Sequence, residues 1–93
     1  MNALPLGEVF CTMGALHALA QALDEEPNTF LARHANAKGD GGEVNEHDRQ
    51  ANEYALEHGL RVLSAYTLTS GQRIWVITEA ERSSATMLLP EEY

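Results

Sequence analysis

Apolar positions change period near the middle of the chain, from the 3.6-residue repeat of helices to the two-residue repeat of strands. In the first half, Thr12 is placed to cap a helix whose stripe is Leu16, Leu19, Ala20 and Leu23, the i, i+3, i+4, i+7 pattern. Asp24-Glu25-Glu26-Pro27 ends that helix, because proline cannot continue the backbone ladder. Pro27 then suits the first turn of a second helix, with Phe30, Leu31 and His34 on one side. Residues 37–42, Ala-Lys-Gly-Asp-Gly-Gly, read as a loop. A third helix follows, capped by Asn45, with Asp48 at its third position and Gly59 closing it past His58. Ala51, Tyr54, Ala55 and His58 share one of its faces, with Asn52, Glu53 and Glu57 turned away. Ahead of all this, Glu8-Val9-Phe10-Cys11 admits a short N-terminal strand.

From Leu60 the alternation is two-fold. Leu60–Leu68 and Arg73–Glu79 read as strands joined by a Thr69-Ser70-Gly71-Gln72 hairpin loop. Ala80–Ser83 turns the chain into a third strand, Ala85–Leu89, which stops before Pro90. The expected fold class is therefore α+β, three short helices followed by a three-stranded antiparallel meander, in a single domain over 1–93. Leu63, Ala65, Trp75, Ile77 and Leu88 oppose Val62, Tyr66, Ile74, Val76 and Met87, so both sheet faces are apolar. A sheet with one wet face alternates more cleanly. Helices can cover one face; the other calls for a homodimer contact or for cover from the N-terminal segment.

Charge narrows the function classes. The chain has 93 residues, 14 Asp and Glu against 6 Lys and Arg, a net charge of −8 and a pI near 4.8. That balance opposes direct nucleic-acid binding, which rests on cations neutralising phosphates, and opposes docking on anionic membranes. The longest uncharged run, Val9–Leu23, is too short to span a bilayer, and Glu8 precedes it where a signal peptide carries Lys or Arg. The expected compartment is the cytoplasm. Between Asp40 and His58 stand Asp40, Glu43, Glu46, Asp48, Glu53 and Glu57 against Arg49 alone, a net of −5. Carboxylates held on a helix can engage a protein partner with a basic surface. The candidate binding face is Glu43, Glu46, Asp48, Glu53 and Glu57; the bland reading of the same residues is a solvated face that maintains solubility.

Other chemistry is thinner. One cysteine, Cys11, allows no internal disulfide and no thiolate cluster, and its apolar neighbours suggest a buried, inert thiol. His47 and His58 lie eleven positions apart, ~16 Å along a helix, so one ion cannot take both. His34, Asp40 and Asp48 would converge only if the glycine loop folded back. No metal and no cofactor is expected. Arg61 or Arg73 can pair with Glu79 across strands. An alternative site groups His34, Arg61, Tyr66, Arg73 and Arg82 as a small toxin-like hydrolase or ribonuclease.

Several motifs also resemble a known group. They are Thr12-x-Gly14-Ala15-Leu16, Phe30-Leu31-Ala32-Arg33-His34, Gly-Asp-x-Gly at 39–42, Asp48-x-x-x-Asn52 and Leu63-Ser64-x-Tyr66. Trp75-x-Ile77-Thr78-Glu79 with Arg82-Ser83, and Leu88-Leu89-Pro90-x-Glu92-Tyr93, complete the set. Together they resemble small uncharacterised bacterial proteins of plasmids and other mobile elements, some labelled "plasmid-related protein" or "type I restriction endonuclease subunit M". The chain departs from that pattern at Gly41, where a Trp is usual, and in its extra Ala37-Lys38. A 93-residue chain has no room for a methyltransferase cofactor domain and its catalytic motif. The resemblance implies no activity beyond a defence-related or counter-defence accessory. With the acidic stretch, the expected function is a non-catalytic accessory of a mobile element, acting on a DNA-binding or defence protein.

Overall fold

Along the chain run β1 (Glu8–Cys11), α1 (Met13–Gln21), α2 (Pro27–Ala35), α3 (Glu46–His58), β2 (Val62–Thr67), β3 (Arg73–Thr78), β4 (Ser84–Leu88) and a closing 3-10 turn (Pro90–Glu92). This is a computed structural model, which describes residues 4–22, 26–36 and 42–93. The expected helices and antiparallel β2-β3-β4 meander are present. The sheet is nevertheless four-stranded and mixed, in the order β1-β4-β3-β2, because β1 joins the far side of β4 in parallel. The helix-then-sheet order is corrected accordingly: one strand precedes the helices, and it pairs with the last.

The two apolar sets fall on opposite faces as the alternation requires. Ser64 pairs with Val76 and Tyr66 with Ile74 on one face; Leu63 pairs with Ile77 and Ala65 with Trp75 on the other. Helices α1 and α2 cover the first face. Ala15, Ala18, Leu19, Ala22 and Phe30 meet Tyr66, Leu68, Ile74, Val76 and Met87 in the main core, and the Phe30 and Tyr66 rings lie 5.2 Å apart. The buried stripe of α1 is thus rotated one position from the expected one. Leu16 is 52% exposed and Ala20 is exposed, while Ala15 and Ala18 are buried. Alanines let the helix axis approach the sheet closely, and a leucine at 15 or 18 would hold it off. Leu23 lies outside the described residues.

The C-terminus lies on the second face, with Tyr93 itself 69% exposed. Tyr93 meets Trp75 edge-on at 5.6 Å, and Arg61 donates to the Tyr93 hydroxyl at 2.8 Å. The N-terminal segment instead lies on the helix side, where Leu4 packs with Ala55 and Val62 and its N–H donates to the Ala35 carbonyl. What holds the C-terminal turn is Glu92. Its carboxylate accepts from the Thr12 hydroxyl and the Leu89 N–H at the N-terminus of α1, where the helix dipole favours negative charge. Gly14 makes room for it, since a Cβ there would run into that carboxylate.

α3 does not pack by the face expected of it. Tyr54 is 57% exposed and Ala51 and His58 are exposed; Asn52 and Ala55 are buried. The reason is the sheet edge. β2 is an outer strand whose Leu63 N–H and C=O point away from β3 and need partners. The Asn52 side chain supplies both, donating to the Leu63 carbonyl at 2.5 Å and accepting from its N–H at 3.0 Å. Next along the same edge, Gly42 bridges Ala65, and the Glu43 N–H donates to the Ala65 carbonyl at 2.6 Å. Gly42 has φ +71, and a Cβ would collide with Ala65 and the Tyr66 ring.

Replacing Asn52 leaves two peptide groups without protein partners in a mostly buried seam. Asn52→Ala is expected to lower the unfolding free energy by about 2 kcal/mol, read by urea denaturation. A loss below about 0.5 kcal/mol would show that water replaces the carboxamide freely.

Candidate functional site

The acidic face is built on α3 and on the segment that leads into it. Asn45 caps the helix by accepting from the Asp48 N–H at 2.8 Å, and Gly59 ends it in the left-handed conformation. With Asn52 and Ala55 fastened to the sheet, the remaining surface of the helix is directed outward. Glu46 and Glu53 keep 63% and 58% of their side chains exposed and flank Arg49, which pairs with both. Arg49 and Gln50 together hold the Glu46 carboxyl below its ordinary range. Asp48 and Glu57 carry no ion pair among the described residues, and Glu43 accepts from the Thr67 hydroxyl at 2.6 Å. From Glu43 to Glu57, five acids face one cation, a net of −4. Asp40 lies outside the described residues. Exposed pairs one helical turn apart are weak and screened by salt, so Arg49 occupies Glu46 and Glu53 without withdrawing them from other partners.

The alternative set is brought together only in part: Arg82 lies near enough to His34 for its charge to act there, while Arg73 stands at the far end of the sheet. His34 and Tyr66 sit under the helices, 3% and 1% exposed. Arg73 pairs with Thr67 at one end of the meander, whereas Arg61 precedes Val62 at the other, ~20 Å away along β2. No single phosphate can be gripped by both. Arg61 lies 3.3 Å from Glu79, the cross-strand partner that its position suggests. Arg82 is committed to backbone carbonyls: it donates to Leu60 at 2.6 Å, Glu79 at 3.1 Å and Ala55 at 3.3 Å. It thereby ties the end of α3 to the start of β2 and to the β3–β4 turn, and it does so from a left-handed backbone, φ 61.

His34 is bonded at both ring nitrogens. Nδ1 lies 2.6 Å from Ser64 Oγ and Nε2 lies 2.7 Å from Thr78 Oγ1, each hydroxyl 2% exposed or less. Burial first, and the charge of Arg82 second, lower its pKa to about 4. The imidazole is neutral at pH 7, one nitrogen donating and the other accepting. A serine beside a histidine suggests an activated nucleophile, yet a substrate would have to enter the core to reach this one.

Cys11 is exposed rather than buried, which corrects the sequence expectation. Partial desolvation, and then the Glu92 carboxylate, raise its pKa, the reverse of what a nucleophilic thiol needs. Among the described residues no three His, Cys, Asp or Glu side chains gather as a metal-binding group, and no helix is long and apolar enough to cross a membrane. Comparison with protein-family models, curated proteins and solved structures returns no match.

Two outcomes follow for the buried polar groups. The unfolded state takes up a proton on His34 near pH 6.5, and the folded state only near pH 4. Stability from this group is complete above pH 6.5 and is lost as pH falls to 4, by about 3 kcal/mol in total. Urea unfolding across that window should be visibly steeper in pH for the wild type than for His34→Gln. Arg82→Ala should cost about 2–3 kcal/mol, and Arg82→Gly about 1 kcal/mol less, because glycine relieves the left-handed backbone.

Proposed function

We propose that the protein is a non-catalytic interaction accessory whose acidic helix engages a basic surface on another protein. The observation that carries this reading is that Glu46, Glu53 and Glu57 stand exposed on the side of α3 away from Asn52 and Ala55, with Glu43 exposed just ahead of the helix. Asp48 is half-buried toward the docked side, and Arg49 is the one Lys or Arg between positions 43 and 57. α3 is fastened to the sheet by Asn52 and at its C-terminal end by Arg82, so its carboxylates keep a constant spacing. Fixed spacing lets an acidic face match a basic one in register and accelerate encounter, as mobile charges cannot. The resemblance to mobile-element proteins supports a DNA-binding or defence protein as the partner, since such proteins carry basic grooves. Burial of His34 and Tyr66, the carbonyl bonds of Arg82 and the distance of Arg73 from Arg61 leave the hydrolase reading without matching support.

The test is capture from a host lysate with wild type and with a variant carrying Glu43→Gln, Glu46→Gln, Glu53→Gln and Glu57→Gln. A basic protein retained by the wild type should be lost by the variant and released by raised salt. Once purified, it should bind the variant about tenfold more weakly or worse. Equal retention by both proteins at low and high salt defeats the charge mechanism. Growth arrest on induction that Arg73→Ala abolishes would establish the enzyme instead.

A further inference from the structure

The two edges of the sheet are treated differently. β2 is sealed by Asn52, Gly42 and Glu43. β1 pairs only with β4, and no described residue lies against its other side in the sheet. Its bonding parity follows from two contacts: the Glu8 N–H donates to the Ser83 carbonyl and the Thr12 N–H to the Met87 carbonyl. Alternation then directs the N–H and C=O of Val9 and Cys11 outward, into solvent. The protections of this edge are slight: the strand is short and Glu8 stands at its start, but it has no lysine, no proline within the strand and no bulge. Its other side chains are apolar. Val9, Phe10, Met13 and Leu16 are four of the seven large hydrophobics left exposed among the described residues, and all four lie on β1 or on the first turn of the helix that leaves it.

We infer that two copies of this chain join through β1, strand against antiparallel strand, into one eight-stranded sheet. The occupant is a second copy because the edge is self-complementary. With Phe10 on the two-fold axis, Val9 of each chain lies opposite Cys11 of the other, and all four outward groups of each strand find partners. Any other centre within the strand leaves outward groups of Val9 or Cys11 facing Gly7 or a residue past the strand end. In this register Phe10 meets Phe10 in a non-hydrogen-bonded pair, the closer kind, with Cα atoms about 4.5 Å apart. Charge does not oppose the choice: β1 carries one acid, Glu8, whereas α3 beside β2 at the opposite edge carries a net of −3, so a second copy meets less repulsion at β1 than at β2. Like charges remain at the ends of the seam: Glu8 lies opposite Thr12 of the second copy, whose hydroxyl is bonded to Glu92. Added salt therefore tightens the dimer, whereas it weakens capture by the acidic face. The two readings rest on different residues and fail separately.

Sedimentation or light scattering tests it. The wild-type mass should rise with concentration toward twice 10.2 kDa, at lower concentration in higher salt. Val9→Pro deletes one outward N–H while leaving the bonds to β4, and Phe10→Glu places charge on the axis. Either should hold the mass at the monomer value while circular dichroism shows an unchanged fold. In a Cys11→Ser background, Phe10→Cys should form a covalent dimer on mild oxidation, since directly opposed residues fall within disulfide reach. Cys11→Ser alone should form none. A wild type that stays monomeric at every concentration overturns the inference, as does a dimer that survives both edge variants. A monomer that instead binds an extended peptide along β1 would assign the edge to a different partner.

Discussion

The contact between the Asn52 carboxamide and the Leu63 peptide makes the molecule asymmetric, and much of the rest depends on that asymmetry. A sheet of four short strands leaves two rows of backbone groups unpaired, and each row invites another strand. On the β2 side the invitation is withdrawn by a side chain that reproduces both bonds of a neighbouring strand. Because that side chain belongs to α3, sealing the edge also docks the helix. Docking in turn decides which residues of α3 face outward, and Glu46, Glu53 and Glu57 are among them, on the side away from Asn52 and Ala55. The acidic surface is therefore a consequence of how an edge is closed.

A chain of this size without a disulfide has few ways to fix its elements, and polar groups that look chemical in the sequence serve that purpose. His34 joins α2 to β2 and β3 through Ser64 and Thr78. Arg82 joins the α3 terminus to two turns, and Glu92 clamps the C-terminal turn to the N-terminus of α1. The His34 bonds are worth the most, because breaking one strands a buried donor or acceptor, whereas those of Glu92 lie at the surface. Residues held this way have no spare valence for a substrate. This is why a histidine, a serine and an arginine can lie near one another without forming an active site.

The meander was legible because its signal is dense: two apolar sets alternating over three strands, with Gly71 in the loop between the first two, leave a single register. The third helix was legible at its ends, where Asn45 and Gly59 act locally, and illegible around its axis. Asn52 shares a face with Ala55 and Leu56, and a polar residue there reads as solvent-facing unless a strand edge is known to need it. α1 failed by one position for a related reason. Leucine dominates a hydrophobicity count, but alanine decides how near a helix can come to a sheet. β1 was legible as the short extended run Glu8–Cys11, but its place in the sheet was not, since its four residues are all exposed and its partner lies some 76 positions away. Of the candidate sites, the acidic face was visible as composition, whereas the dispersal of the arginines needed the strand register.

The layout of charge and apolar surface also bears on how an acidic protein of this size can have two kinds of contact. If the surplus carboxylates were spread evenly, every approach by a like-charged copy would be opposed, and every approach by a basic partner would be equally favoured. Here α3 carries Glu46, Asp48, Glu53 and Glu57 against Arg49, while β1 carries Glu8 alone, and Val9, Phe10, Met13 and Leu16 stand exposed on β1 and α1 at the opposite edge of the sheet. Beyond a Debye length of about 8 Å at physiological ionic strength, the α3 charges contribute little at the β1 edge. Three strand spacings of about 4.8 Å already exceed that distance. The sheet thus acts as a spacer that keeps the α3 carboxylates electrostatically remote from the β1 edge, so the two proposed contacts do not compete.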